Sequence, residues 1–312
     1  MAAGKVLITD GVHPILPERL SQLGYEIKYE PNISLSEVKK QVHLYAGLII
    51  NSKIIMDKEM FDLATNLKWV GRLGSGLEII DLEYAKKKNV RIISSPEGNR
   101  NAVAEHMMGM LLSLANNLNR IDQEVRNRIW EREGARGFEL FGKKVGLIGF
   151  GNTGQAMARK LSGFGVDILA HDKYFQIFPD QFPLITSVSI EKLQAEADII
   201  SLHLPLTAET VHYVNEKFIA GCKNDFILLN GSRGKCVDLQ TLIEALKNGK
   251  CRGACLDVFE NEKPASYSSS ESLLYQQLFD NPKTILSPHV AGWTIESKKK
   301  LAKIIVDKLV HS

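Results

Sequence analysis

The chain has 312 residues, with 44% hydrophobic and 24% charged side chains and a formal net charge of +3. That length accommodates two domains with separate cores, and the composition is that of a globular protein rather than a disordered or fibrous one. The small charge leaves no footprint for nucleic acid, and no apolar run approaches a bilayer span, so neither is an expected partner.

The N-terminal run MAAGKVLITDG enters a strand-like stretch without a signal peptide's long apolar segment, and a cytoplasmic location is expected. Short β-rich runs then alternate with amphipathic stretches. Strands are expected at Lys5–Thr9, Tyr25–Tyr29, Gly47–Ile50, Lys68–Arg72 and Val90–Ile93. Helices are expected between them, at Pro17–Leu23, Ser36–Val42, Lys58–Ala64 and Leu82–Lys88. This alternation predicts a parallel sheet covered on both faces, a compact flavodoxin-like domain.

The rhythm changes near Pro96. Asn101–Asn117 carries bulky apolar residues on nearly every face and reads as a buried helix. A polar, arginine-rich stretch with Trp130 follows. Strands are then expected at Lys144–Gly149, Asp167–His171, Asp198–Leu202, Phe226–Asn230, Arg252–Leu256 and Thr284–Ser287. These predict a second doubly wound sheet of Rossmann type. Ser266–Ser272 reads as an exposed, flexible loop. The last segment, Thr294–Val310, is amphipathic with no strand after it, and is expected to return to the first domain. The domain limits expected are 1–97 with 290–312, and 98–289.

Two features carry little chemistry. The runs Lys86–Lys88 and Lys298–Lys300 read as solvated helix faces. Cys222, Cys236, Cys251 and Cys255 form no C-x-x-C and have no histidine at zinc-ligand spacing, so they are expected to pack as small hydrophobes and no metal site is assigned.

The loop Gly149-Phe150-Gly151-Asn152-Thr153-Gly154 lies between the strand-like KKVGLIGF and the helical TGQAMARKLSGF, which is the context a dinucleotide site requires. Gly149 permits the turn, Gly151 lets the backbone approach a pyrophosphate, and Gly154 allows close helix–strand packing. The helix start after the loop offers free N–H groups to the phosphates. Asp172, at the end of the next strand, suits the ribose hydroxyls of NAD and disfavours the extra phosphate of NADP, although Lys173 beside it softens that repulsion.

Three residues further on complete a chemistry. Arg233 in NGSRG can grip a carboxylate through two parallel N–H bonds. His289 in SPHVAGWT can deliver a proton near neutral pH. A glutamate beside it would stabilise the imidazolium, with Glu262 competing against Glu260 and Glu271 for that place. With a hydride from a nicotinamide, the set implies reduction of a 2-oxo acid. His203 and His106 read as packing or supporting groups.

Taken in order, GRLGSGLEIIDLEYAKKKNVRI, NRNAVAEH, GLIGFGNTG, HLPLTAET, LNGSRGKCVD, GACLDVFENE and SPHVAGWT resemble the D-isomer-specific 2-hydroxyacid dehydrogenases over nearly the whole chain. The phosphoglycerate dehydrogenase branch, at the head of serine synthesis, is the nearest, in a short form without its regulatory domain. The resemblance implies a substrate-binding lobe and an NAD-binding lobe with the active site in the cleft between them. It implies that Arg233 binds the substrate carboxylate, that His289 is the acid–base group, and that Glu262 is its partner. Gly74, Ser75 and Gly76 would hold the carboxylate through their backbone, and Arg72 would meet a distal charge. Asn101, Val103, Pro205, Thr210, Asn230, Gly231, Ser232 and Asp257 match cofactor-lining positions, with Gly292 beside them. The Trp130 stretch resembles the arm through which members form homodimers.

Two departures stand out. Phosphoglycerate-specific members carry an arginine where this chain has Asn51, with Lys53 as the nearby substitute, so a small acid such as glyoxylate or hydroxypyruvate remains the alternative substrate. A longer insertion also separates Glu262 from His289. An NAD(H)-sensing, corepressor-like binding protein is the alternative from another class.

Overall fold

The computed structural model describes residues 4–174 and 183–311. Residues 1–3 and 312, which the expected domain limits include, lie outside the described residues. The chain divides into two compact units, Met1–Arg100 with Trp293–Ser312, and Asn101–Gly292.

The first unit begins with β1 (Gly4–Ile8), α1 (Ile15–Gln22), β2 (Tyr25–Tyr29), α2 (Leu35–Gln41) and β3 (Gly47–Ile50). It continues with α3 (Lys58–Leu63), β4 (Trp69–Arg72), α4 (Leu82–Lys87) and β5 (Arg91–Ser94). Local chemistry sets the helix starts. Ser34 and Glu37 form a reciprocal capping box at α2, and the carboxylates of Asp57 and Asp81 accept the N–H groups of Met60 and Tyr84. All strands are parallel, in the order β2-β1-β3-β4-β5. Strand β3 is buried along its whole length because helices cover both faces.

Helix α5 (Pro96–Ala115) starts earlier than the sequence suggests. Proline is tolerated in a first helical turn, so the polar Gly98–Asn101 run is helical rather than a lead-in. It is followed by α6 (Leu118–Arg126), which buries none of its residues. The second unit then builds β6 (Lys144–Ile148), α7 (Asn152–Leu161), β7 (Asp167–His171), β8 (Ile185–Ser187), α8 (Ile190–Glu196) and β9 (Ile199–Leu202). It closes with α9 (Glu216–Gly221), β10 (Phe226–Asn230), α10 (Leu239–Lys247), β11 (Cys251–Leu256), α11 (Ser269–Phe279) and β12 (Thr284–Leu286). Its seven strands are parallel in the order β12-β11-β10-β9-β6-β7-β8. One face packs on α5 and α7 through Met107, Leu111, Met157 and Leu161. The other packs on α8, α9 and α10 through Leu193, Phe218, Leu242 and Leu246.

The expectation of a flexible loop at Ser266–Ser272 is wrong. Ser268 accepts the N–H of Glu271 while the Glu271 carboxylate accepts the N–H of Ser268, and α11 starts there. The serines are a helix start, not a tether. Helix α12 (Ile295–Val310) places Ala302, Ile305 and Val306 in one core with Val6, Ile8, Leu16 and Leu20 of the first unit. Arg19–Asp307 at 2.7 Å and Lys308–Glu97 at 2.8 Å flank that contact. No helix among the described residues is long and apolar enough to cross a membrane.

Candidate active site

In a parallel sheet the loops that follow the strands collect at one edge, and ligands bind where the strand order reverses. In the second unit that reversal lies between β6 and β9. The glycine loop leaves β6 there. Gly149 has φ +90°, and a Cβ on it would sit 2.4 Å from the His203 carbonyl oxygen. A Cβ on Gly154 would sit 2.2 Å from the carbonyl oxygen of Gly149. Only glycine lets α7 start this close to the strand. Over Gly151, by contrast, a Cβ would meet nothing within 4 Å, which leaves the open backbone cradle that a pyrophosphate needs. Asn152 and Thr153 form the first residues of α7.

Asp172 ends β7. Its Oδ2 accepts the N–H of Phe150 at 2.6 Å and its Oδ1 that of Tyr174 at 2.8 Å, so the carboxylate is fixed against the glycine loop. Each carboxylate oxygen has two lone-pair directions, and these bonds do not preclude acceptance of ribose hydroxyls. The ammonium of Lys173 meets Glu209. Pro205 and Thr210 belong to one turn after β9, where the threonine hydroxyl donates to the Pro205 carbonyl at 2.7 Å. The residues present therefore fit NAD.

The loop after β10 presents Arg233. Asn230, almost fully buried, accepts the N–H and hydroxyl of Ser232 through Oδ1 and donates through Nδ2 to the Arg233 carbonyl at 3.0 Å. Gly231 lies against Met107, whose sulfur would be 2.6 Å from a Cβ there. The half-buried Arg233 donates from Nη1 to the Ser232 carbonyl at 2.7 Å.

His289 stands after β12 with φ +56°, a left-handed conformation that costs energy for any residue but glycine and that persists where the surroundings enforce it. Asp257, 1% exposed, is what enforces it. Its carbonyl accepts the N–H of His289 at 2.7 Å. Its carboxylate accepts the Ser287 hydroxyl at 2.6 Å and the N–H groups of Val290 and Ala291 at 2.9 Å each. Ser287 spends its proton on Asp257, so His106, whose Nε2 lies 2.8 Å from the Ser287 hydroxyl, is the donor in that contact. The Asp257 carboxylate is thus committed to shaping the His289 loop. The sequence singled it out only as a cofactor-lining position.

Of the three competing glutamates, Glu262 is the one that meets His289, with Oε2 2.8 Å from Nδ1. Partial burial pushes its carboxyl up. The hydrogen bond and charge of His289, the Phe259 N–H and the charge of Arg233 outweigh that and hold it below the usual carboxylate range. Glu271 caps α11, and Glu260 turns to His212 and the N–H of Leu239. A glutamate on one imidazole nitrogen leaves Nε2 to exchange a proton with a substrate. Val103 lies inside the core of the second unit, and Gly292 is that unit's last residue. Burial pushes the His203 imidazole down to about 4, so it is neutral and supports the glycine loop.

The substrate residues expected in the first unit lie at the ends of β3 and β4 and in the loops that follow them, at the carboxyl edge of its sheet. Asn51 follows β3, and its N–H donates to Asp10 Oδ2 at 2.9 Å. Lys53 is exposed and donates to the Pro31 carbonyl at 2.7 Å. Arg72 curls back so that Nη1 reaches the Leu73 carbonyl at 3.2 Å and covers Gly74, whose φ is +147°. The Gly74 N–H donates to the Ser95 hydroxyl at 3.2 Å and to the Arg72 carbonyl at 3.0 Å. The N–H groups of Ser75 and Gly76 carry no hydrogen bond among the described residues. No group of three His, Cys, Asp or Glu that could hold a metal occurs among the described residues.

The chain also has documented likenesses. A family model described as the NAD binding domain of D-isomer specific 2-hydroxyacid dehydrogenases matches residues 108–291. D-3-phosphoglycerate dehydrogenase of Methanocaldococcus jannaschii is 31% identical, over 98% of this chain and 56% of that protein. The chain spans about half the length of the curated relatives of that name. Hydroxypyruvate reductase of Thermotoga maritima is 33% identical over 89% of this chain and 88% of that one. The structure of D-lactate dehydrogenase from Aquifex aeolicus complexed with NAD and lactic acid superposes with a TM-score of 0.84 at 28% identity, covering 98% and 94% of the two chains. NAD is accordingly the cofactor of the second unit. A match to the family model over more than half of the chain, and a 33% identical relative aligned along most of both proteins, place it: the chain belongs to the D-isomer specific 2-hydroxyacid dehydrogenase family.

Proposed function

We propose that this chain interconverts a 2-oxo acid and its D-2-hydroxy acid, with 3-phosphohydroxypyruvate and 3-phosphoglycerate as the preferred pair. The observation that carries the chemistry is the 2.8 Å bond between His289 and Glu262, with the Arg233 charge acting on the same carboxylate. When bound, NADH supplies the hydride that no side chain can provide. Arg233 holds the substrate carboxylate with its planar fork. His289 gives its Nε2 proton to the carbonyl oxygen as the carbonyl carbon is reduced, and takes it back in the oxidative direction. Glu262 on Nδ1 fixes the tautomer and the orientation of the ring. In this reading Gly149, Gly151, Asn152, Thr153 and Gly154 hold the pyrophosphate and Asp172 the ribose. Ser75 and Gly76 offer backbone N–H groups to the carboxylate, and Arg72 and Lys53 meet the distal phosphate.

The curated relatives named for phosphoglycerate support that substrate. A second reading, hydroxypyruvate or glyoxylate, is favoured by Asn51 in place of a fork-shaped arginine and by the hydroxypyruvate reductase likeness. Loss of NADH absorbance is the test, with 3-phosphohydroxypyruvate, hydroxypyruvate, glyoxylate, 2-oxoglutarate and pyruvate offered in parallel. Preference for the phosphorylated acid supports the first reading and preference for a small acid the second. NADH binding with no turnover of any acid overturns both in favour of an NADH sensor. A homodimer is part of the proposal, because Leu118, Val125, Ile129 and Trp130 (77% exposed) leave an apolar strip for a second copy; a monomeric mass by light scattering refutes it.

A further inference from the structure

Glu262 stands on a loop after β11 that has no sheet partner of its own, so something else must fix it. Two residues before it are held from opposite directions. Glu260 Oε1 accepts the N–H of Leu239, the first residue of α10, at 2.9 Å. Its Oε2 accepts from His212 Nε2 at 2.9 Å, and the other ring nitrogen of His212 lies 3.8 Å from Asp238. His212 itself has φ +48°, and its N–H donates to the Lys235 carbonyl at 2.7 Å, two residues past Arg233. Gly234 is pressed against the same loop so closely that a Cβ would lie 1.9 Å from Phe259 backbone atoms. Glu260 therefore joins the Glu262 loop to the Arg233 loop and to the turn after β9.

Asn261, between the two glutamates, is held by the insertion. Its N–H donates to the Tyr275 hydroxyl at 2.8 Å, and its amide donates to Glu271 at 3.1 Å. The Tyr267 hydroxyl donates to its carbonyl at 3.2 Å. Tyr275 is 2% exposed and stacks on Tyr267 with ring centroids 4.4 Å apart, so α11 presents a rigid anchor. Buried polar groups placed this way fix a loop because each is costly to leave unmade.

We propose that Glu260 with His212 on one side, and Tyr275 on the other, are positioning residues that set Glu262 against His289 and Arg233. The inference rests on the dehydrogenase reading, and the experiment separates the two. E260A, H212A, the double variant and Y275F are each compared with wild type for kcat, KM and NADH binding by fluorescence titration. A misplacement of about 1 Å in a catalytic group costs on the order of a hundredfold in rate. The expected result is a kcat lowered about ten- to a hundredfold by E260A and by Y275F, with NADH affinity within about twofold of wild type. Glu260 and His212 act as one link, so the double variant loses little more than either single one. H212Q, which keeps a donor for Glu260, restores most of the H212A loss. Wild-type kcat in E260A and Y275F overturns the proposal, as do additive losses in the double variant or NADH affinity falling in step with kcat. If the wild type turns over no 2-oxo acid, it is the functional reading that fails instead.

Discussion

Asp257→Asn is the sharpest probe of how the His289 loop is held. The substitution keeps the side-chain shape but turns one acceptor oxygen into a donor. Oδ2 takes one bond, from Ala291 N–H, whereas Oδ1 takes two, from Val290 N–H and the Ser287 hydroxyl. The amide nitrogen costs least at the Oδ2 position, where it faces the Ala291 N–H and leaves two buried donors unpaired. Each such group costs about 1–3 kcal/mol, and the surviving bonds weaken by about half once the charge is gone. Relief of the buried charge offsets part of this, giving a net loss of roughly 2–4 kcal/mol. Urea unfolding of the second unit measures that loss, and NADH oxidation measures the accompanying fall in kcat as His289 leaves its left-handed conformation. A loss under about 0.5 kcal/mol with kcat within twofold of wild type would refute the reasoning, because it would mean the carboxylate does not hold the loop.

Other consequences can be checked in parallel. The Glu262 carboxyl is held low, so its contribution to stability is present above the unfolded value near 4.3 and is lost as pH falls through the lower folded value. Glu262→Gln should flatten that acid limb, and a stability–pH curve unchanged by the substitution would sink the pairing. His203, pushed down to about 4, stays neutral in the folded state while the unfolded chain takes a proton below 6.5. Stability should therefore fall by roughly 2 kcal/mol between pH 7 and pH 5, and His203→Gln should remove that part of the slope in urea titrations. Burial pushes the Cys222 and Cys251 thiols up to about 12 and Cys255 higher still. A thiol reagent at pH 8 should label none of them until the protein is denatured, and fast labelling of any one would contradict this packing.

The buried strands were legible because parallel β-strands covered on both faces are short, continuous runs such as GLII and FILLN. Strand β8 was not, since three residues at a sheet edge carry no periodicity. The serines before α11 misled because the residues that cap a helix are also those that favour loops. At the site, the glycine spacing and the NGSRG, DVFENE and SPHVAGW motifs are local signals. The bond between Glu262 and His289 joins residues 27 apart, and only the resemblance selected Glu262 from its neighbours. The Asp257 anchor and the Glu260–His212 link had no comparable signal. Both are made when separate strand ends converge, 33 residues apart for Asp257 and Val290 and 48 for His212 and Glu260.

Helix α12 has a consequence for synthesis. The core that holds Val6, Ile8 and Ile49 takes Leu16 and Leu20 from α1 and is completed by Ala302, Ile305 and Val306 of α12. The whole of the second unit is translated between those two groups. On a ribosome, the later-starting unit can close its core while the earlier one still exposes a strip of apolar surface. The expected order of maturation is then the reverse of the order of synthesis. A nascent chain stalled before α12 should hold a folded nucleotide-binding unit beside a chaperone-binding, aggregation-prone sheet.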